Sequence, residues 1–519
     1  MSVRAPIGVC AFALLALAGA TAGWGGERPL TLEEAIRLSL RMSEGILLQR
    51  ESLAAAGAAV SGANGAYDPF FEVEAGWRRA NEPVNSAFSG AAPVQVSPTR
   101  EVFEASAGIR QLLPTGGALS FRTMTSRGTT DAAFSLLSPA YDTRVGVEFR
   151  QPLLRDRAVD AARLTVRQAD ANRKRSLAAL RQEVAETVAA VERAYWRLLA
   201  ARLEVEVREE AVRLAEEQLA ETRARIQSKM APETEEAQPR AEVERRRGER
   251  LAAQEAVSHA ENALKFLILS DADADLWNAR LAPVEEAEAE PVAVDVAAAM
   301  EKALASRPEL EAAGALIERR RAEAAFARNA VYPALDAVVS YDRFGLAGSR
   351  NPAALSPGVP AGAIGGIGRS FARLGGGDFD AARVALQFGI PVGNRAGRAA
   401  SAVAGHVERQ AEAGLARARK AVRAEVLDAA AALHTARQRI QTARAEREAA
   451  EVQLAAERDR YAVGLSTNFL TLTRQNDLSR ARLAEISALT DYRTARTEMA
   501  RRTGALLEQR RISIDDLLP

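Results

Sequence analysis

The feature that most constrains the fold of this chain is a series of apolar residues spaced seven positions apart between Leu177 and Ile226, which no Pro or Gly interrupts. Most residues between them are Ala or charged, which predicts a helix with a narrow apolar stripe. A seven-residue period is typical of coiled coils. The pattern extends from about Arg155 to Met230, and at about 1.5 Å per residue it predicts a rod on the order of 110 Å long. No compact domain has that span, so the rest of the chain must be arranged around the rod. The apolar positions are Leu177, Val184, Val191, Leu198, Val205, Val212, Leu219 and Ile226.

The first residues have the pattern of a secretory signal peptide, which we expect over residues 1–22. Arg4 precedes an apolar run from Ile7 to Ala18, and small residues of the cleavage-site type follow. The run is too short to span a membrane, and after residue 22 no apolar run reaches the length of about 18 residues that a membrane-spanning helix needs. The only cysteine, Cys10, lies inside this segment, so the mature protein would have neither disulfides nor thiol chemistry.

Helical and strand patterns alternate along the first half. Thr31 and Glu34 have the spacing of a helix capping box, and a helix is predicted from there to about Asn64. Residues 70–79 and 144–150 then alternate apolar with polar side chains, which predicts strands with one apolar face each. The long helix follows the second of these strands.

The second half repeats this order, which indicates an internal duplication. Residues 296–300 stand 264 positions after residues 32–36, and strands are predicted around 335–341 and 384–390. A second long helix is predicted over 395–463, with its own apolar columns and Arg447 as the single break. The columns are Leu415, Val422, Ala429, Ala436, Ala443 and Ala450, and beside them Val426, Leu433, Ile440, Leu454 and Tyr461.

Both long helices are predicted to turn back on themselves. The first breaks at residues 228–232, where a Pro removes a helical donor, and returns over 241–269. The second breaks at Gly464, where one of residues 466–468 would cap a returning helix that ends near Gly504.

These patterns divide the chain into four parts. They are the signal peptide (1–22), a first structural repeat (23–270), a linker (271–293) that reads as a loop, and a second structural repeat (294–519).

The strands match those of outer-membrane barrels, because they have alternating faces and are separated by long loops rich in Gly, Pro and Ser. An ordinary soluble sheet is the alternative, and secretion together with the duplicated setting favours the membrane. Four strands are too few to close a barrel, so several chains would share one. The expected lipid-facing residues are Phe71, Val73, Trp77, Val145, Val147, Phe149, Leu335, Val339, Tyr341, Val384, Leu386 and Phe388.

The number of strands per chain is open at this point. The first strand region is longer than the second by 25 residues, enough for one more hairpin. Residues 103–110 and 119–123 alternate on either side of a short Gly turn, which gives six strands per chain. The alternative is four strands with a strand-like external loop.

Several fragments stand in order along the chain: Leu30-Thr31-Leu32-Glu33-Glu34-Ala35, Gln151-Pro152-Leu153-Leu154-Arg155, Ser306-Arg307-Pro308-Glu309-Leu310, Pro391-Val392-Gly393-Asn394-Arg395, Arg460 to Thr467, Asp491-Tyr492 and Gly504. Together they resemble the TolC-type outer-membrane efflux proteins. The resemblance implies a mainly helical chain with membrane strands, in which three copies share a twelve-stranded β-barrel and form an α-barrel of twelve helices from long coiled-coil hairpins. It also implies a homotrimer in outer-membrane lipid that extends into the periplasm and docks onto a periplasmic adaptor protein and an inner-membrane pump.

The hairpin tips are the expected docking site and gate. In this family the first tip usually has Gly where Ser228 stands, and Pro239 lies in the returning helix, so the first tip is expected to differ in shape. Members with an aspartate ring carry Asp at the positions of Leu470 and Thr473, so that gate does not transfer. An acidic ring from Glu233, Glu235 and Glu236 is one substitute, and a solvated helix start is the other interpretation. The expected adaptor contacts are Ser228, Lys229, Met230, Val463, Gly464, Leu465, Ser466 and Thr467.

The leading hypothesis is a passive exit channel of a tripartite efflux or type I secretion system, gated at its periplasmic tips. A non-conducting coiled-coil tether anchored in the outer membrane is the alternative. Neither an enzyme nor a cofactor is expected, because no nucleophile with a base partner occurs. The histidines His259, His406 and His434 stand alone, without metal-ligand spacing. The 69 basic and 68 acidic residues are interleaved, which argues against a nucleic-acid partner.

Overall fold

A computed structural model describes residues 27–81, 83, 97–285, 294–355 and 358–518. The predicted signal peptide lies outside the described residues. The chain forms two compact units. One contains the described residues of 1–44, 184–299 and 426–510, and the other contains those of 45–183, 300–425 and 511–519.

The first repeat runs through two helices, four strands and a helical hairpin. Its elements are β1 (Glu27–Leu30), α1 (Leu32–Met42), α2 (Glu44–Asn64), β2 (Phe70–Asn81), β3 (Thr99–Leu112), β4 (Ala118–Thr130), β5 (Leu137–Pro152), α3 (Ala161–Gln227) and α4 (Ala237–Ile268), followed by α5 (Ala274–Asn278) and β6 (Arg280–Pro283).

The second repeat has the same order with fewer strands. Its elements are α6 (Val296–Ser306), α7 (Pro308–Asn329), β7 (Ala334–Arg350), α8 (Ile367–Gly376), β8 (Phe379–Gly389), α9 (Arg395–Ala462), α10 (Asn468–Arg502) and α11 (Leu506–Gln509). The internal duplication predicted from the sequence is confirmed. None of the described helices has a stretch long and apolar enough to cross a membrane.

The apolar columns of the long helices form the helix contacts. On α3, Val184, Val191 and Leu198 are fully buried. Where α3 meets α4, Leu219 packs with Val243, and where α9 meets α10, Leu454 packs with Leu478 and their neighbouring alanines. The seven-residue period therefore predicted the packing faces of both hairpins.

The stripe on α3 is broader than the sequence predicts near its middle. Between residues 184 and 198 most side chains are buried, because further elements of the same unit pack there. The Tyr195 hydroxyl donates to the carbonyl of Leu30 at 2.9 Å and accepts from the amide of Val284 at 3.2 Å. Glu192, which is 1% exposed, accepts from Thr497 Oγ1 and from Arg510 Nε at 2.5 and 2.6 Å. These contacts fix β1, the β6 end and the C-terminal segment against α3.

The other unit contains one antiparallel sheet in the order β2-β3-β4-β5-β7-β8. The four strands predicted first and the additional hairpin β3–β4 are all present, so the six-strand interpretation is confirmed and the external-loop alternative is wrong. The sheet follows from the alternating pattern because a one-residue slip would move every apolar side chain to the polar face.

Three local predictions differ from the structure. The single helix expected from Thr31 to Asn64 is interrupted at Ser43, whose backbone is extended. The segment taken as a loop after residue 271 contains α5 and β6, and β6 pairs in parallel with β1. The long loop expected between β7 and β8 contains α8. The last two departures involve contacts between residues far apart in sequence, β6 with β1 and Ser370 of α8 with Thr143 of β5 at 2.9 Å, which local patterns do not encode.

A buried arginine explains one fragment of the family resemblance. Arg307, the residue before α7, is 5% exposed and pairs with Glu309 at 2.6 Å and with Glu425 of α9 at 2.7 Å. The fragment thus joins the start of α7 to the long helix that follows the sheet.

Candidate docking tip and two-faced sheet

The long helices α3 and α9 each end in a turn of the same type. At the end of α3, the amide of Lys229 donates to the carbonyl of Ile226 at 2.9 Å, and the amide of Met230 donates to the carbonyl of Arg225 at 2.9 Å. At the end of α9, Gly464 donates to Tyr461 at 3.1 Å and Leu465 donates to Arg460 at 2.8 Å. Both patterns are the Schellman motif, in which a residue with positive φ reverses the chain after a helix.

The residue with positive φ at the first tip is Lys229, with φ of 58°, and at the second tip it is Gly464, with φ of 81°. The position that Gly464 fills at the second tip is therefore filled by Lys229 at the first tip, and not by Ser228. Ser228 still continues the α3 hydrogen-bond pattern, since its amide donates to the carbonyl of Ala224 at 3.0 Å. The sequence signal that was missed is the apolar residue directly after the turn, Met230 in one tip and Leu465 in the other.

The two tips expose apolar side chains. Met230 is 79% exposed, Leu465 is 80% exposed and Val463 is 70% exposed. Phe469, in the first turn of α10, is 61% exposed. Exposed apolar side chains clustered at a polar surface are typical of interaction sites.

The returning helices start differently. At the second tip, Thr467 is the capping residue, because its hydroxyl accepts from the amide of Leu470 at 3.4 Å, and the Ser466 hydroxyl bonds to Glu457 of α9. At the first tip, a short turn over Glu233–Glu236 precedes α4. Pro239 is the third residue of α4. Backbone amides in the first turn of a helix have no acceptor within the helix, so the amide that Pro lacks is not needed there. The two starts thus differ as expected, and Pro239 is accommodated without breaking the helix.

One arginine connects the two tips. The guanidinium carbon of Arg225 lies 4.2 Å from the centroid of the Tyr461 ring, and Arg225 Nη2 also donates to the carbonyl of Tyr461 at 3.4 Å. Glu221, one turn earlier on α3, pairs with the same guanidinium at 3.0 Å. Burial raises the pKa of Tyr461 although Arg225 opposes that shift, so the ring remains a neutral phenol. Sequence reasoning assigned no role to Arg225.

The three candidate gate glutamates have unequal surroundings. Glu236 pairs with Arg223 of α3 at 2.8 Å, which fixes it within the first hairpin. Glu233 and Glu235 have exposed side chains. Leu470 and Thr473, where an aspartate ring would require acids, lie on the first turns of α10.

All the residues predicted to face lipid lie on one face of the sheet. Phe71 is in register with Ile109, Phe121, Val147 and Tyr341 across five successive strands. The same face carries the exposed apolar residues of β8, of which Val384 is 82% exposed. The full set is Phe71, Val73, Trp77, Val145, Val147, Phe149, Leu335, Val339, Tyr341, Val384, Leu386 and Phe388.

The opposite face carries charges of both signs. Glu72 reaches across Gly108 to Arg122 at 3.7 Å, and these residues are in register on adjacent strands. Arg144 and Arg150 of β5 pair with Asp342 and Asp336 of β7 at 3.0 and 2.5 Å. At Gly146 an added Cβ would overlap the Asp342 carboxylate, so glycine makes room for the cross-strand pair.

Comparison with known proteins agrees with this architecture. The family model described as outer membrane efflux protein matches residues 299–505. The Campylobacter jejuni CmeC outer membrane channel is similar in structure, with a TM-score of 0.62 and 16% identity over 92% of this chain and 86% of the other. The outer membrane protein VceC of Vibrio cholerae has a TM-score of 0.60 and 16% identity, covering 91% and 96%. The open state of the Neisseria gonorrhoeae MtrE outer membrane channel has a TM-score of 0.59 and 15% identity, covering 92% and 89%. No curated protein sequence matches the chain.

Proposed function

We propose that the protein is a passive exit channel in the outer membrane, because residues 299–505 match the family model described as outer membrane efflux protein and the described chain has the TolC-type fold. In this proposal it serves a tripartite efflux or type I secretion system and contributes a pore, a gate and a docking surface. Energy for transport comes from the pump.

The two-faced sheet supports the membrane part of the proposal. One face is apolar and exposed, as a lipid-facing surface must be, while the other carries ion pairs that water would solvate. A single six-stranded sheet leaves both edges unpaired, and such edges are avoided in hydrocarbon. We therefore propose a homotrimer that shares one barrel and extends into the periplasm.

The hairpin tips support a docking site for a periplasmic adaptor. The exposed residues Met230, Val463 and Leu465 lie at helix turns with defined hydrogen bonds, so they present apolar surface from a preorganised backbone. Residues Ser228, Lys229, Gly464, Ser466 and Thr467 complete the proposed contact surface. A photo-crosslinking residue at Leu465 should capture an adaptor, whereas the same residue at Val452, which is 70% exposed on α9, should not.

The gate in this proposal combines the contact between the tips with their exposed carboxylates. Arg225 holds the two hairpin ends together through Tyr461, and Glu233 and Glu235 add exposed negative charge beside them. Opening then requires the Arg225–Tyr461 contact to break. Glu236 has a structural role in this scheme because Arg223 engages it.

Conductance in planar bilayers tests the proposal. Arg225→Gln removes the cation from the Tyr461 ring and should raise the open probability several-fold, since a cation–π contact of about 1 kcal/mol corresponds to about a fivefold shift. Arg223→Gln is the matched control, because it breaks an ion pair within one hairpin only. A non-conducting tether would give no current with either variant, and this result would overturn the channel.

A further inference from the structure

The β3–β4 hairpin lies inside the sheet and not beside it. β3 pairs with β2 along the full length of β2, and β4 pairs with β5. β2 and β5 are thus separated by two strands. The outer positions of the hairpin, among them Phe103, Ile109 and Phe121, continue the apolar face. The hairpin therefore adds two strands to the width of the sheet.

The two edges of the sheet are suited to pair with each other in neighbouring copies. β2 has 12 residues and β8 has 11. The six strands alternate in direction, so the edge strands run antiparallel. Their side chains are exposed on both faces almost throughout. Because each copy has an even number of strands, β8 of one copy and β2 of the next can pair antiparallel, like the other neighbouring strands of the sheet.

The apolar band crosses the sheet obliquely. On β2 it covers Phe71 to Trp77, and on β8 it covers Val384 to Phe388. The hydrogen-bonded row through Phe71, however, reaches β8 at Ala382. Phe388 lies six positions beyond Ala382 towards the end of β8. A band that is level in a membrane must cross the rows in this way when the strands are tilted.

We propose that β8 of each copy pairs with β2 of the next and that three copies close an eighteen-stranded barrel, in place of the twelve-stranded barrel that the family resemblance implies. The number of copies rests on the proposed function, and the strand number per copy rests on the sheet itself. In the register that keeps the band level, Phe388 faces Phe71 of the next copy and Val384 faces Ala75. The last residue of β8 then lies beside the first residue of β2, so band continuity and strand ends give the same register.

The geometry of this register is that of a membrane barrel. A shift of six residues, about 20 Å, over six strands, about 29 Å, gives a strand tilt of about 35°. Known membrane barrels have tilts of about 35–45°. A register with a shift smaller by two residues would give a strand tilt of about 25°, which is outside that range.

The consequence is a wider lumen in the β-section. At strand spacing of about 4.8 Å and this tilt, eighteen strands enclose a backbone diameter of about 34 Å, and twelve enclose about 22 Å. Side chains of about 5 Å on each side leave about 24 Å and about 12 Å. The β-section would therefore pass compact solutes of about 20 Å, such as folded peptides, that a twelve-stranded section excludes.

Cysteine pairs test the strand order, since the chain has no cysteine after residue 10. Ala75→Cys with Val384→Cys should join copies and give a covalent trimer on a denaturing gel, because antiparallel neighbours lie within disulfide reach. Val73→Cys with Ala107→Cys, in register on β2 and β3, should close within one chain. Val73→Cys with Val145→Cys, three strands apart at about 14 Å, should not close. Each single variant serves as a control.

The outcomes separate this inference from the proposed function. Closure of the Val73–Val145 pair would place β2 beside β5 and overturn the eighteen-stranded barrel even in a conducting trimer. Closure of the Val73–Ala107 pair without any link between copies would instead overturn the shared barrel, and with it the homotrimeric channel. A covalent tetramer would overturn the number eighteen. Direct imaging of the detergent-purified protein should resolve eighteen strands in cross-section.

Discussion

At the scale of single residues, the two hairpin tips differ in the residue that carries positive φ. Glycine adopts this conformation freely, whereas a residue with a side chain is disfavoured there by about 1–2 kcal/mol. Lys229 therefore holds backbone strain that Gly464 does not, although both turns have the same hydrogen bonds. The first tip should open more readily than the second.

Reciprocal substitutions test this difference. Lys229→Gly should stabilise the first tip by about 1 kcal/mol, and Gly464→Ala should destabilise the second by about the same amount. A Cβ at position 464 meets no neighbouring atom within 4 Å, so the second effect comes from the backbone alone. Hydrogen exchange at the amides of Met230 and Leu465 measures the two tips separately. Equal exchange rates in both variants and the wild type would contradict the strain.

Glu498, a carboxylate on α10, should make the stability of the protein depend on pH. Glu498 accepts from Arg501 and Arg502 at 2.6 Å each, and these bonds, chiefly that from Arg501, lower the pKa of Glu498 to about 2 although burial opposes them. Its pKa in the unfolded chain is about 4.3. The stabilisation is therefore complete above about pH 5 and is lost as the pH falls towards 2. Partial exposure reduces it to about 1–2 kcal/mol.

Glu498→Gln should lower the free energy of unfolding by this amount at pH 7, and the difference from wild type should disappear near pH 2. Urea unfolding at several pH values measures it. Glu33→Gln is the control, since Glu33 pairs with Arg37 at the exposed surface of α1 and should change stability by less than about 0.5 kcal/mol. A constant difference from pH 7 to pH 2 would contradict the assigned pKa.

At the scale of elements, several arginines join α7 to α9, and two of them, Arg307 and Arg321, have contrasting surroundings. Arg307 is buried and pairs with Glu425. Arg321 is 60% exposed and pairs with Glu412 at 3.1 Å. Loss of a buried partner leaves a charge poorly solvated, whereas loss of an exposed one leaves it in water. The position of α7 should therefore depend on Arg307 far more than on Arg321.

Arg307→Met should destabilise the protein by about 2–4 kcal/mol, and Arg321→Met should cost less than about 1 kcal/mol. Thermal unfolding of the two purified variants gives the comparison. Arg307→Lys should recover only part of the loss because an ammonium cannot reproduce the two-sided guanidinium contact. Similar melting temperatures for both Met variants would argue against the role of burial.

Strict patterns made most elements predictable from the sequence. For helix α9 the sequence predicts Arg395 to Val463, and the helix ends one residue earlier. The prediction is this close because the apolar columns of α9 are regular and a Gly follows them. The break at Ser43 has no Pro, and the nearby Gly45 lies within α2. Helix α8 lies in a Gly-rich stretch, which favours a loop, so the local patterns predict neither feature. The Tyr195 and Arg225 contacts join residues far apart in sequence. Such contacts depend on tertiary structure and leave no local periodicity.

At the scale of the whole molecule, the sheet determines where the protein can reside. Neighbouring residues on β7 point to opposite faces, with Val339 on the apolar face and Ser340 on the charged one. A new charge on the lipid side of a membrane barrel costs about 2–4 kcal/mol at mid-depth, and a charge on the lumen side is tolerated. One substitution at two adjacent positions can therefore separate the two faces.

Val339→Arg should lower the yield of assembled protein in the outer membrane fraction and its unfolding free energy by about 2–4 kcal/mol. Ser340→Arg should leave both nearly unchanged. Membrane fractionation and urea unfolding in lipid measure the effects. If Ser340→Arg were the more damaging variant, the assignment of the two faces would be reversed.

The cross-strand pairs on the charged face determine the fixed charge of the inner surface of the proposed barrel. Arg122 with Glu72, Arg144 with Asp342 and Arg150 with Asp336 neutralise one another within each copy. In the proposed barrel, a β-section lined in this way would have little fixed net charge, so cations and anions would meet similar electrostatic barriers within that section. In the proposed channel, the β-section would therefore not select solutes by charge, and such selection would fall to the tips or to the partner that loads the channel.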